Sequence, residues 1–345
     1  DQFCGRGNPL MLINPPYNRI ILIIAPYSDI GTIKRDSSSV ALPRFSLPPF
    51  PCLKMPAVGD SQSWSDHAGD YEAISSGFIK PIADQLFSAV AEHEPKNVLD
   101  VACGAGMMTR MAATRWPDAS ILATDYAPGM VEIVKNLAAT SGWKNVTAEV
   151  VDAQVRQSFF PPMLADQSFA VQNMVSIPSK SQDLLLCSMG IMLMADSDRA
   201  AAEFCRVLRP DGIAAVSTWV KMEQSKYIIE ALPRCLNKPV PEASADWTPG
   251  DDWSNGDYVV KRFLAAGFKS ARSTVVTGEY EITNFETYCK QASSNPGWNS
   301  LADKFNLSAE QRAIYPETLC KVLYDHFPGG TAKLGSAANI IIACA

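Results

Sequence analysis

Apolar side chains recur every fourth residue at Phe78, Ile82, Leu86 and Val90, and this period predicts an amphipathic helix with one buried face. Downstream, short apolar runs alternate with helical patterns. Val98 to Ala102, Ser120 to Thr124, Val146 to Val151, Asp183 to Ser188 and Ile213 to Trp219 read as strands. Met107 to Arg115, Gly129 to Thr140 and Arg199 to Leu208 read as helices, the second closed by Gly142. Such alternation predicts βαβ units, and therefore an α/β fold built on a doubly wound, mostly parallel sheet.

Beyond Trp219 the pattern loosens. It predicts a helix over Asp257 to Ala266 ended by Gly267, a strand over Ala271 to Tyr280, two helical pieces around Phe285 to Ala292 and Ser308 to Phe327, and a last strand over Asn339 to Ala343. Residues 281–336, between the last two strands, are expected to form a helical lid over the sheet's carboxyl edge, where ligands bind in open α/β sheets.

The first 54 residues do not share this pattern. Ile20 to Ala25 is a six-residue apolar run stopped by Pro26, too short to span a bilayer and too short for a signal peptide's apolar core. Pro43 to Pro51 is proline-rich and reads as extended. The expectation is that residues 1–54 are a disordered leader or non-native upstream translation, and that one folded domain, 55–345, begins at Met55.

Charge sharpens that division. Residues 1–54 hold six basic and three acidic side chains, so removing their +3 from the net −6 leaves −9 on residues 55–345. A chain without a basic excess is not expected to take nucleic acid as partner or substrate. The nine cysteines include no CxxC pair, which argues against a zinc cage or disulfide framework and for a reducing compartment, the cytoplasm. His67, His93 and His326 are not spaced to share a helix face, so no metal site is expected, and no membrane segment is read. The pattern is silent on oligomeric state.

Candidate chemistry concentrates where the strand Asn97 to Ala102 runs into a loop holding Cys103, Gly104 and Gly106 before a helix. Glycine there lets backbone approach a ligand closely. A dinucleotide fingerprint would place a third glycine where Thr109 stands, and Asp100, at the strand end, would repel a pyrophosphate. The same carboxylate suits a cofactor with a cationic amino-acid end. Asp125, nineteen residues after Gly106, ends the second strand, where an acidic group accepts ribose hydroxyls or caps the helix that follows. Asp152 and Ala153 end the third.

Asp100 to Gly106, Asp125 with Tyr126, Asp152 with Ala153, and Leu184 to Gly190 together resemble the motifs of class I S-adenosylmethionine-dependent methyltransferases, in particular the small-molecule, fungal-like branch. The resemblance is firm over residues 75–220. It implies a Rossmann-like, seven-stranded methyltransferase fold and S-adenosyl-L-methionine as cofactor. On its terms Asp100, Ala102, Cys103, Gly104 and Gly106 surround the methionine end, Asp125 holds the ribose, and Tyr126 with Met130 flanks the adenine. Asp152 and Ala153 meet the adenine edge, Cys187 and Ser188 line the floor near the sulfonium, and Tyr71 lies against the methionine end. Met130, Cys187 and Ser188 serve equally well as packing residues.

The chain departs from the family between Asp152 and Asp183, where 30 residues replace a shorter loop. Joining Gln154 directly to Asn173 restores the family's loop. Residues 155–172 are therefore expected to be a translated intron, since 18 × 3 gives 54 nucleotides, or a surface insertion.

The implied reaction is methyl transfer to an oxygen, nitrogen or carbon of a small-molecule acceptor, with a secondary metabolite preferred. His67 and Tyr71 are the candidate catalytic bases, with His326 from the lid a further one. Met189 to Met194 reads as an apolar shelf facing the acceptor, and Trp219, Trp247, Trp253 and Trp298 as aromatic walls or plain packing. The alternatives are a protein of the same fold that binds the cofactor without methylating, and a nicotinamide dehydrogenase, which Asp100 and Thr109 oppose.

Overall fold

Val98, Leu99, Asp100 and Val101 are buried in succession, without the alternation of a half-solvated strand, so this strand has helices on both faces. It is the central strand of an α/β sheet in a computed structural model. The structure describes residues 61–153, 172–236, 251–295, 298–299, 302–303 and 305–345. The leader, most of the 155–172 segment and Trp247 lie outside the described residues.

The strands are β1 (Asn97–Val101), β2 (Ser120–Asp125), β3 (Val146–Asp152), β4 (Gln172–Asn173), β5 (Gln182–Ser188), β6 (Leu208–Met222), β7 (Ser270–Ile282) and β8 (Ala332–Cys344). Their order in the sheet is β4-β3-β2-β1-β5-β6-β8-β7. Seven are full strands, and β4 adds two residues beside the end of β3. β8 alone runs antiparallel to its neighbours, from Ile213 beside Cys344 to Met222 beside Ser336. The chain winds outward from β1 through β2 to β3, then returns to β5 on the other side of β1. The reversal opens a crevice at the carboxyl ends of β1 and β5.

Six helices flank or precede these strands: α1 (Ser61–Asp66), α2 (Ala68–Phe78), α3 (Lys80–Ser88), α4 (Met107–Arg115), α5 (Pro128–Ser141) and α6 (Ser197–Val207). Gly142 closes α5 in the left-handed conformation, φ 71°. The helix expected from Phe78 through Val90 is divided. Pro81 at the start of α3 has no amide to continue the α2 ladder, so Phe78 ends one helix while Ile82 and Leu86 bury the face of the next. β6 begins five residues earlier than Ile213, because Leu208 pairs with Gln182 before a register shift.

The later helices are α7 (Gln224–Leu236), α8 (Gly256–Ala265), α9 (Phe285–Ser294) and α10 (Ala309–His326). Ser308 and Gln311 form a reciprocal capping box at the start of α10. α7, α9 and α10 share a core of their own around Tyr227, Leu232, Phe285, Tyr315 and Leu319. Among the described residues of 281–336 none lines the two cavities at the carboxyl edge, whereas Trp64 of α1 and Tyr71 of α2 do. Three tryptophans are packing residues: Trp219 stacks on Phe78, Trp298 stacks on Tyr315, and Trp253 is buried.

Candidate functional site

The crevice is built by two turns that a single carboxylate ties together. Asp125, at the end of β2, accepts a hydrogen bond from the Gly104 amide at 2.9 Å and another from the Ala127 amide at 3.0 Å. The glycine turn after β1 is thereby fixed to the turn that starts α5. Cys103 adds to this by donating its amide to the Thr124 carbonyl at 3.0 Å.

Gly104 and Gly106 have φ of 52° and 83°, conformations a side chain disfavours. Five non-glycine residues among those described share that region, and two of them stand at this edge, Ala102 at 52° after β1 and Met189 at 57° after β5. Both flank the crevice, and backbone held in a sparsely populated conformation concentrates at functional sites. Gly190 leaves room where none is spare: a Cβ there would stand 2.6 Å from that of Ala102 and 3.0 Å from the Cys187 sulfur.

Two cavities open at this edge. One, an open-mouthed space of about 720 Å3, is lined by Trp64, Tyr71, Ala102, Gly104, Asp125, Tyr126, Met130, Val151, Asp152, Ala153, Ser188, Met189, Gly190, Leu193 and Met194. The other, about 1350 Å3, is lined by Tyr71, Asp100, Ala102, Cys103, Gly104 and Ser188, together with residues of α2, α3 and α4. Tyr71, Ala102, Gly104 and Ser188 belong to both, so the cavities meet at these four residues. The Tyr71 ring lies so close to the turn that a Cβ on Gly104 would be 3.3 Å from its Cε1, and the Trp64 ring packs edge-to-face with it, centroids 5.2 Å apart.

Asp100 is 1 % exposed and accepts the Thr109 hydroxyl at 2.5 Å. Burial pushes its carboxyl up to about 7; the Thr109 hydrogen bonds oppose that rise and the like charge of Asp125 adds to it. Burial also pushes Asp125 up to about 6, against the amides of Ala127, Gly104 and Tyr126. Two buried carboxylates at a crevice form a site for a cation. Burial and Asp125 hold the Tyr71 phenol above its ordinary range. The phenol is therefore protonated, and a hydrogen-bond donor, at neutral pH.

Most of the residues singled out from the sequence meet here, namely Tyr71, Asp100, Ala102, Cys103, Gly104, Asp125, Tyr126, Met130, Asp152, Ala153 and Ser188. His67, Gly106, Cys187 and His326 line neither cavity. His67 precedes α2, its Nδ1 2.8 Å from the Ser63 carbonyl. Gly106 starts α4 and faces Val134 and Leu137. Cys187 is fully buried beneath Gly190, and burial pushes its thiol up to about 12. His326 lies on the far core, against Glu230 at 2.8 Å and the edge of Tyr227.

The sequence reading missed Trp64, Val151 and the hydroxyl of Thr109. Trp64 precedes Tyr71 by seven residues, a two-turn spacing that could have revealed it. Among the described residues, no group of three or more His, Cys, Asp or Glu could hold a metal ion, and no helix is long and apolar enough to cross a membrane.

Residues 92–262 match a family described as a methyltransferase domain. A malonyl-[acyl-carrier protein] O-methyltransferase of Hahella chejuensis is 32% identical over 178 residues, covering 50% of this chain and 55% of the relative. Methyltransferase ktnA of Aspergillus niger is 28% identical over 233 residues, covering 63% and 74%. A nocamycin O-methyltransferase of Saccharothrix syringae is 32% identical over 146 residues, covering 42% and 45%. The chain spans about half the length of the first and third of these relatives.

Proposed function

We propose, from the premise that the chain belongs to the class I S-adenosylmethionine-dependent methyltransferase family, that it transfers a methyl group from S-adenosyl-L-methionine to a nucleophilic oxygen, nitrogen or carbon of a small-molecule acceptor. The observation that carries this reading is the pair of cavities meeting at Tyr71, Gly104 and Ser188, with one buried carboxylate on each side. A ligand with a cationic amino-acid end and a ribose matches both. The cofactor, when bound, supplies a methyl group activated on a positively charged sulfur.

The chain's own residues do the rest. Asp100 receives the ammonium, and Asp125, with its amide-bound oxygens, accepts the ribose hydroxyls. Tyr126, Met130, Asp152 and Ala153 enclose the base. Tyr71 and Ser188 stand where the two cavities join. Trp64 and the α1–α2 cover exclude water from that junction, so alignment and desolvation supply much of the catalysis. The acceptor we favour is small and lipophilic, of the kind methylated in secondary metabolism. The seven described cysteines are free thiols, which supports a place in the cytoplasm.

Calorimetry with S-adenosylmethionine and S-adenosylhomocysteine, followed by mass spectrometry of candidate acceptors for the gain of one methyl, tests the reading. Binding of both and transfer to an acceptor are expected. Absence of binding to either would overturn it.

A further inference from the structure

Resting on the cofactor reading above, we propose that Thr109 is a positioning residue, whose hydroxyl holds Asp100 oriented and ionised to receive the cationic amino-acid end of the ligand. Thr109 occupies the place where a dinucleotide-binding turn has its third glycine. A glycine there serves close packing of helix on strand. Threonine instead brings a hydroxyl into a fully buried place on the first turn of α4, and a buried hydroxyl needs a partner. It finds Asp100 Oδ2 at 2.5 Å, and the Thr109 amide donates to the same carboxylate.

The other groups around Asp100 do not replace this support. Asp125 of β2 is a like charge. The Cys103 thiol of the glycine turn and the Cys187 thiol of β5 are kept protonated by burial, as is the Tyr71 phenol of α2. The cations lining the same cavity face carboxylates of their own: Lys80 of α3 bonds Asp84 at 2.7 Å, and Arg110 of α4 is 3.8 Å from Glu72 of α2. The Thr109 hydrogen bonds are what oppose burial and Asp125. Without the hydroxyl, Asp100 takes up a proton more readily, and a neutral carboxyl has no charge to offer an ammonium.

Two ligands separate this role from general support of the fold. S-adenosylhomocysteine carries the amino-acid end, and 5′-methylthioadenosine keeps the adenosine and thioether without it. Binding of both is measured calorimetrically between pH 6 and 8.5 for the wild type, Thr109→Val and Thr109→Ser. Thr109→Val is expected to bind S-adenosylhomocysteine roughly tenfold more weakly at pH 7, with the midpoint of its pH dependence raised by about one unit. Its affinity for 5′-methylthioadenosine stays within about twofold of wild type, and Thr109→Ser restores both the affinity and the midpoint. Equal weakening of both ligands by Thr109→Val, or an unmoved pH midpoint, would overturn the proposal. A wild type that binds neither ligand defeats the cofactor reading itself, which distinguishes the two failures.

Discussion

Gly190 and Asp125 act by different means at the same site. Gly190 is required for space: in Gly190→Ala the new methyl meets the Ala102 Cβ at 2.6 Å, and Ala102 has no flexible side chain to move aside. Ala102 is itself held at positive φ, so relief must come from the turn. The variant is expected to lose roughly 1–3 kcal/mol of stability, as overpacked cores do, with a lowered urea midpoint. An unchanged midpoint would show that the turn yields freely. Asp125 is required for its oxygens, since both accept backbone amides. Asp125→Asn replaces one acceptor with a donor, which leaves one amide facing another N–H at a cost of about 1–3 kcal/mol. Because the proposed cofactor reading gives the ribose to Asp125, the variant should weaken S-adenosylhomocysteine and 5′-methylthioadenosine alike by calorimetry. Loss of the first ligand only would move the ribose away from Asp125.

The cover is an element-scale device, and one glycine sets its seat. α1 rests on the start of α5, where the Gly129 amide donates to the Ser65 hydroxyl at 3.1 Å and a Cβ on Gly129 would be 2.7 Å from the Ser65 carbonyl. Gly129→Ala should therefore push α1 off its seat and carry Trp64 from the cavity. Alanine is the better helix former by about 1 kcal/mol, so the melting temperature should hold or rise while cofactor affinity falls about tenfold. A variant that binds as tightly as wild type would show that α1 does not need this contact. Little of this was legible beforehand. α2 reads Ala, Gly, Ser and Asp at most positions, so it shows no strong apolar period, and α1 is only six residues long. The parallel strands and α4 were legible because buried strands and a glycine turn impose their own composition: Met107–Arg115 is both the expected and the observed helix. Thr109 was read as a missing glycine because spacing reports a position, whereas the hydrogen bond to Asp100 exists only once strand and helix meet. Cys187 reads equally as floor or as packing for the same reason, since one residue along a fully buried strand decides between cavity and core.

At the scale of the whole molecule, the two site carboxylates make stability depend on pH in an unusual direction. The folded protein holds Asp100 at about 7 and Asp125 at about 6, both above the ordinary 3.8, with burial the first cause. Between those ordinary and folded values the folded state binds more protons than the unfolded chain, so these groups favour folding in acid and their contribution is lost as pH rises through 6 and 7. Each displaced unit is worth about 1.4 kcal/mol, and their joint effect from pH 5 to 8 is on the order of a few kcal/mol. The ligand-free protein should thus melt at a lower temperature at pH 8 than at pH 5.5, after subtraction of the same curve for Asp100→Asn, which keeps the acceptor for Thr109 and cannot ionise. Saturating S-adenosylhomocysteine should flatten the difference, because an ammonium beside Asp100 favours the ionised form, and binding at pH 6.5 should release protons that calorimetry in buffers of different ionisation enthalpy can count. If the difference curve is flat, or rises with pH, Asp100 is ionised across that range without help from a ligand, and its charge stands ready for a cation before any ligand arrives.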